Sequence, residues 1–282
     1  MIDLHTHSTA SDGTDSPFAL VKKALAAGVT TLGVTDHDST AGWSEATTAV
    51  QSQIELVLGA EISCLTDDGV SVHMLGLLFD GEDMQMQQML ADSRDTRVPR
   101  MRKMVDLLRA DGIAISLEDV YAVAGDKATI GRPHLADALV HNGVVASRDE
   151  AFNDLLHNES KYYVSHAAPT PVEAIGVIRS AGGVAVIAHP FASRRGQILE
   201  SAHFADLLRA GLHGIEVHHR DQSMAEREML IAIAQDLDLI VTGASDYHGT
   251  GKLNAMAENT TAPEQWERLE SLASARRVIK KR

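Results

Sequence analysis

The chain has 282 residues, 44% hydrophobic and 23% charged, enough to bury a full core in one large or two small domains. A net charge of −14 argues against a broad basic face for duplex DNA, and no apolar run approaches the length of a membrane span. The single cysteine, Cys64, excludes a disulfide framework or a Cys-rich zinc module, which makes the cytoplasm the expected compartment.

Short apolar, β-rich runs alternate with amphipathic stretches. Strands are expected near 2–5 and 31–35, on either side of a helix that Ser16-Pro17 opens and Gly28 closes. An HTH triplet starting at residue 5 leaves no room for a signal peptide. Strands near 55–62 and 72–79 are joined by Asp67-Asp68-Gly69, a hairpin turn. The rhythm then breaks, with helical patterns near 84–110, 117–124, 132–141 and 147–156 and no convincing strand. Residues 89–169 read as a helical insertion, or cap, with 1–88 and 170–282 as the main body. A helix from Pro171 to Gly182-Gly183 and strands near 184–188, 214–217 and 239–243 complete the order. Such alternation predicts a mostly parallel sheet, open or closed.

Nine residues with metal-binding side chains fall at the ends of these strands. They are His5, His7 and Asp12 in DLHTHSTASDG, His37 in VTDHDST, Glu61 in GAEIS, His73 in VHMLG, His189 in IAHP, and Asp246 and His248 in ASDYH. Imidazole and carboxylate suit borderline divalent cations such as Zn²⁺, Mn²⁺ and Fe²⁺. Nine are too many for one tetrahedral site and enough for two or three ions, a cluster suited to chemistry rather than to stapling a fold. Three divalent ions against three carboxylates would leave a site of about +3, so the acidic chain can still attract a phosphate. His5 and His7 are i, i+2 on a strand and share a face, and Asp246 and His248 repeat that spacing. Ligands from so many strand ends converge only on a ring of strands, as at the C-terminal face of a β/α barrel. With seven strands, the barrel should be irregular.

DxHxH with DG five residues on, then TDHD, AHP and SDYH in this order, resembles the polymerase and histidinol phosphatase (PHP) family of metal-dependent phosphoesterases. The resemblance covers residues 1–80 and 183–250. GRPH at 131–134, with the helical insertion, resembles a branch of nucleoside 3′,5′-bisphosphate phosphatases and 5′→3′ exoribonucleases of short RNA. It implies an α/β fold, a distorted (β/α)7 barrel with a helical insertion domain. Matched position by position, it implies that His5, His7, Glu61 and Asp246 hold a first metal. Glu61 would bridge to a second held with His73 and His189, and Asp12, His37 and His248 would hold a third. All nine positions carry competent ligands, so two to three ions of Mn, Zn or Fe are expected.

The activity implied is hydrolysis of a phosphate monoester on a small nucleotide, nucleoside 3′,5′-bisphosphate to 5′-monophosphate, by a metal-bound hydroxide. No covalent nucleophile is needed. Alternatives are 5′→3′ exonuclease action on short RNA, histidinol-phosphate phosphatase activity, and a non-catalytic metal-bound binding module. The complete ligand set weighs against the last.

Several residues are candidates for substrate. Arg132 can grip a phosphate bidentately and His134 can donate to it, although Gly131 and Pro133 would also serve as an ordinary helix start. Arg194 and Arg195 sit in the loop after His189, as phosphate contacts or as plain surface arginines. Of His218 and His219, alternation from Glu216 turns His218 toward the mouth. Arg94, Arg97, Arg100, Arg102 and Lys103 read as a solvated helix face, with a track for a nucleic-acid tail as the alternative.

Overall fold

The computed structural model describes residues 1–125, 129–165 and 167–281, the Arg195 side chain excepted. After β1 (Ile2–Asp3), the Ser16 hydroxyl accepts the Ala19 N–H and so caps α1 (Pro17–Ala26). Pro17 fills the first helical position, where its missing N–H costs no bond. β2 (Thr31–Val34), α2 (Trp43–Thr48), β3 (Glu55–Leu65) and β4 (Ser71–Leu77) follow. Four consecutive helices come next: α3 (Met84–Ala110), α4 (Leu117–Ala124), α5 (Arg132–His141) and α6 (Arg148–Asp154). The alternation then resumes with α7 (Pro171–Ser180), β5 (Val184–Ala188), α8 (Ser201–Ala210), β6 (Gly214–His218), α9 (Met224–Asp236), β7 (Ile240–Gly243) and α10 (Pro263–Leu272).

The seven strands neighbour one another in chain order. A bridge between Thr6 and Tyr247, with the His7 N–H donating to the Tyr247 carbonyl at 2.9 Å, returns the end of the sheet to its start. The result is the nearly closed, distorted seven-stranded barrel expected from the sequence. β4 is its irregularity. The turn around Gly69, whose φ of +88° is free of strain only for glycine, makes a hairpin, so β4 runs antiparallel to both β3 and β5. The other paired strands are parallel.

This reversal decides where His73 lands. The end of the barrel formed by the last residues of β3 and β5 receives the first residues of β4, and His73 pairs with Ser63 and Ala188. Alternate strand residues point to opposite faces. Leu4, Val57, Leu75 and Val186 form an inner set with Trp266 and Leu269 of α10, while Leu56, Met74 and Ile187 pack outward with Leu20, Ile178 and Phe204 of the helices.

A second core gathers Met101, Met104, Leu108, Leu135, Leu139 and Tyr162 around α3 to α6. Met86 and Leu90, at the other end of α3, pack instead with the outer core of the barrel. The expected boundary between 88 and 89 therefore falls inside one continuous helix shared by both cores. Among the described residues, no helix is long and apolar enough to cross a membrane.

Candidate metal centre

His5 and His7 leave β1 on one face, and their Nε2 atoms lie 3.0 Å apart. Glu61 is the hub. Its Oε2 is 3.1 Å from His5 Nε2, 3.0 Å from His7 Nε2 and 3.1 Å from His37 Nδ1. Its Oε1 is 2.7 Å from His73 Nδ1 and 3.2 Å from His189 Nε2. Asp246 Oδ1 approaches His5 and His7 Nε2 at 3.5 and 3.3 Å. Asp12 closes the far side, with Oδ1 3.2 Å from His248 Nε2 and Oδ2 3.7 Å from His37 Nε2. All nine residues expected from the sequence meet at one end of the barrel.

Three groupings have ligand atoms within 4.8 Å of one another: His5, His7, Glu61 and Asp246; His7, Asp12, His37 and His248; and His37, Glu61 and His73. His37 therefore faces two groups, a sharing that strand-end spacing does not reveal.

The backbone is bent to make this array. His189 and Asp246 have φ of +31° and +51°, a left-handed region unfavourable for residues with a Cβ. Such strain persists where surrounding contacts hold it. Asp3 supplies one hold: it accepts the Ser245 N–H at 3.0 Å, the Ser245 hydroxyl at 2.6 Å and the Ala257 N–H at 2.9 Å. Asp36 does the same for the Asp12 loop, accepting from Ser8 N–H at 2.8 Å and from the Ser8 and Ser11 hydroxyls at 2.7 Å. Glu216, fully buried on β6, accepts a hydrogen bond from His5 Nδ1 at 3.0 Å. Glu216 and Asp36 were not among the sequence candidates, although an acid inside an apolar strand and the first Asp of TDHD were available signals.

The electrostatics call for positive charge. Burial alone would lower the His5 and His7 pKa values, but the surrounding carboxylates outweigh it, holding His5 well above its ordinary value and His7 near about 9. Burial would likewise raise Glu61 and Asp12, yet the neighbouring imidazoles keep both well below the usual carboxylate range. His248 goes the other way, lowered to about 4 by burial, Lys252 and His7. A divalent cation would displace the protons on such histidines and satisfy the same carboxylates. The geometry agrees. His37 Nδ1, His73 Nδ1 and His248 Nε2 are buried and close to carboxylate oxygens, yet none is aligned for a hydrogen bond. Ring nitrogens that approach a carboxylate without bonding to it are arranged to share a cation, so the residues present fit divalent metals.

Beside this cluster lies a cleft of about 100 Å³ lined by Ser71, His73, Arg132, Asn158, His189 and Gln197, among others. Arg132 Nη1 donates to the Leu156 carbonyl at 2.9 Å and to Asn158 Oδ1 at 2.7 Å, and its guanidinium lies 5.2 Å from the Tyr163 ring centroid. Arg100 also lies 5.2 Å from the Tyr163 ring centroid and donates to the Val164 carbonyl at 2.6 Å. Burial and the neighbouring Arg132 push the Arg100 pKa down to about 10. Two guanidiniums thus gather at the Tyr163 ring, and one of them, Arg132, lines the cleft.

Other candidates are placed differently. His134 is buried with both nitrogens engaged: Nδ1 accepts the Gly131 N–H at 3.1 Å and Nε2 donates to the Ser11 carbonyl at 3.1 Å. It joins α5 to the Asp12 loop and has no ring nitrogen left for substrate in this arrangement. Arg194 is exposed in the 3-10 turn Ser193–Arg195, and the Arg195 side chain lies outside the described residues. The structure brings His219, not His218, into the cluster. An irregularity in the β6–β7 register between Glu216 and His218 breaks the alternation. His219 is fully buried, with Nε2 3.3 Å from Asp246 Oδ2. The solvated-face reading of α3 also needs correction: Arg94, Arg97 and Arg100 bond inward, and only Arg102 and Lys103 of that set are exposed. Lys252, 3.0 Å from Asp246 Oδ2, went unnoticed because nothing in its local sequence marks it.

The PHP domain family matches residues 3–142. The 5′-3′ exoribonuclease of Haemophilus influenzae is 36% identical over 248 residues, covering 87% of this chain and 89% of that protein. The chain belongs to the PHP domain family. The 3′,5′-nucleoside bisphosphate phosphatase of Chromobacterium violaceum is 33% identical, covering 89% of this chain and 88% of that one. A solved structure from Bifidobacterium adolescentis, proposed to be a metal-dependent phosphoesterase, superposes with a TM-score of 0.91 at 40% identity over 96% of each chain. This PHP protein is thus a metal-dependent phosphoesterase, a hydrolase acting on phosphoric esters.

Proposed function

We propose that this PHP phosphoesterase removes the 3′-phosphate of a nucleoside 3′,5′-bisphosphate and releases the 5′-monophosphate. The observation that carries the reading is the shared cleft: His73 and His189, at the edge of the cluster, line it together with Arg132. A substrate with two phosphates can place one at the ligand cluster and the other against a guanidinium, which binds phosphate bidentately. The Chromobacterium violaceum relative, a nucleoside bisphosphate phosphatase by name, supports the choice.

In this reading His5, His7, Glu61 and Asp246 hold one ion. Glu61 with His73 and His189 holds a second, and Asp12, His37 and His248 a third, the ions being Mn²⁺, Zn²⁺ or Fe²⁺. When bound, such ions lower the pKa of water toward 7 and stabilise charge on the phosphoryl oxygens. The chain's own residues do the rest. Glu216 fixes the His5 tautomer and so turns Nε2 inward. Arg132 holds the phosphate that is not cleaved, with Arg194 and Arg195 in the neighbouring loop as further contacts. Residues 89–169 act as a cap that presents Arg132 to the barrel mouth. A cytoplasmic setting belongs to the same proposal, since the one cysteine is a buried free thiol.

The test is phosphate release by Mn²⁺-loaded protein from adenosine 3′,5′-bisphosphate, 5′-phosphorylated RNA oligomers and histidinol phosphate, side by side. Fastest turnover of the bisphosphate is expected. Faster release of mononucleotides from the oligomers would favour the second reading, 5′→3′ exonuclease action on short RNA, which rests on the Haemophilus influenzae relative. Fastest turnover of histidinol phosphate would remove both.

A further inference from the structure

Arg97 on α3 is 9% exposed and reaches from the cap side into the barrel. Its Nε donates to Asp38 Oδ2 at 3.0 Å, and Nη2 makes the second arm of the fork. Nη2 also donates to Ser63 Oγ at 2.9 Å, and Nη1 to the Ile130 carbonyl at 3.3 Å. Three segments meet on this one side chain. They are the turn that carries His37, the strand that carries Glu61, and the residue just before Gly131-Arg132.

Asp38 is held at each of its polar atoms. Its N–H donates to the Glu61 carbonyl at 2.9 Å, its Oδ1 accepts the Ser63 N–H at 2.9 Å, and its carbonyl accepts from Arg94 Nη1 at 2.6 Å. Its φ of +48° is unfavourable for a residue with a Cβ and survives because these contacts over-determine it. From this pinned turn, His37 faces Glu61 on one side and Asp12 on the other.

We infer that Arg97 is a positioning residue: it locks the His37 turn for metal binding and ties that turn to the loop presenting Arg132. The inference rests on reading His37 as a metal ligand. Planarity is central to it. A guanidinium satisfies Asp38, Ser63 and Ile130 together through a rigid fork, whereas a lysine ammonium brings the same charge to a single point. Partners that orient ligands change metal affinity by about 10–100-fold when removed.

The experiment is Mn²⁺ binding by the full chain, followed by calorimetry and by metal content. His37→Ala identifies the binding event to which His37 contributes. Arg97→Lys should weaken that same event by about 10–100-fold while the other events and the melting temperature stay near wild type. The double variant Asp38→Asn/Arg97→Gln leaves no lone buried charge, and it should show the same selective loss if Arg97→Lys fails to fold. Wild-type affinity at every event would overturn the inference, and so would uniform weakening, which marks general loosening. Should His37→Ala bind Mn²⁺ as wild type does, the ligand reading falls and takes the inference with it.

Discussion

Glu216 Oε2 and His5 Nδ1 are 3.0 Å apart in a fully buried pair, and this contact determines which His5 nitrogen faces the cluster. The Glu216 carboxylate accepts from Nδ1, so Nδ1 keeps its proton. Nε2, beside Glu61, His7 and Asp246, is the nitrogen left to bind a cation once its own proton is displaced. Glu216→Ala should lower metal affinity or activity by about 10–100-fold, with Glu216→Gln intermediate. Mn²⁺ titration of the three proteins checks this. Equal affinities would show that His5 needs no orienting partner.

His7 and Asp246 belong to the grouping that includes His5 and Glu61. His7→Ala or Asp246→Ala should each abolish phosphate release even at saturating Mn²⁺, because in the proposed assignment both are ligands of the same ion. Substantial activity in either variant would contradict the assignment.

His219 and His218 make a paired test of the register irregularity in β6. His219→Ala should lower kcat/KM by about tenfold or more, since its Nε2 donates to Asp246 Oδ2 at 3.3 Å. His218→Ala should stay within about twofold, the scale of substitutions away from such features. Steady-state kinetics on the two variants decides between them, and the reverse order would restore simple alternation.

His134 gives a pH dependence with a definite sign. Burial lowers its pKa below the ordinary 6.5, and protonation would destroy its acceptance of the Gly131 N–H. Its contribution is fully present above pH 6.5 and is lost as pH falls toward the lowered folded value. In His134→Gln an amide oxygen can take the same N–H without titrating. Between pH 7.5 and 5.5 the wild-type melting temperature should fall more steeply than that of the variant, which shares every other titrating group. Parallel slopes would remove His134 as a pH-sensitive joint.

The meeting of the nine side chains was legible because most of them, such as His37, Glu61 and His189, sit just past or at the end of an apolar run, where chain direction places them at one end of a barrel. His73 stands near the start of its strand, and the hairpin at Gly69 brings it to the same end. What was not legible depends on tertiary cover. Helical periodicity marks Arg97 as a charge on a helix, but its partners Asp38, Ser63 and Ile130 lie 59, 34 and 33 residues away. His219 was missed because a register irregularity cannot be read from period-2 alternation, and the division of α3 between two cores cannot be read from helical periodicity.

The central claim is tested most directly by the fate of the two phosphates of adenosine 3′,5′-bisphosphate. The protein is stripped with a chelator and assayed, then reloaded with Mn²⁺, with products resolved by phosphorus NMR. The account predicts no turnover after stripping, recovery on reloading, and adenosine 5′-monophosphate with inorganic phosphate as the products. Unchanged turnover by the stripped protein, or no phosphate release with Mn²⁺ confirmed bound, would contradict it.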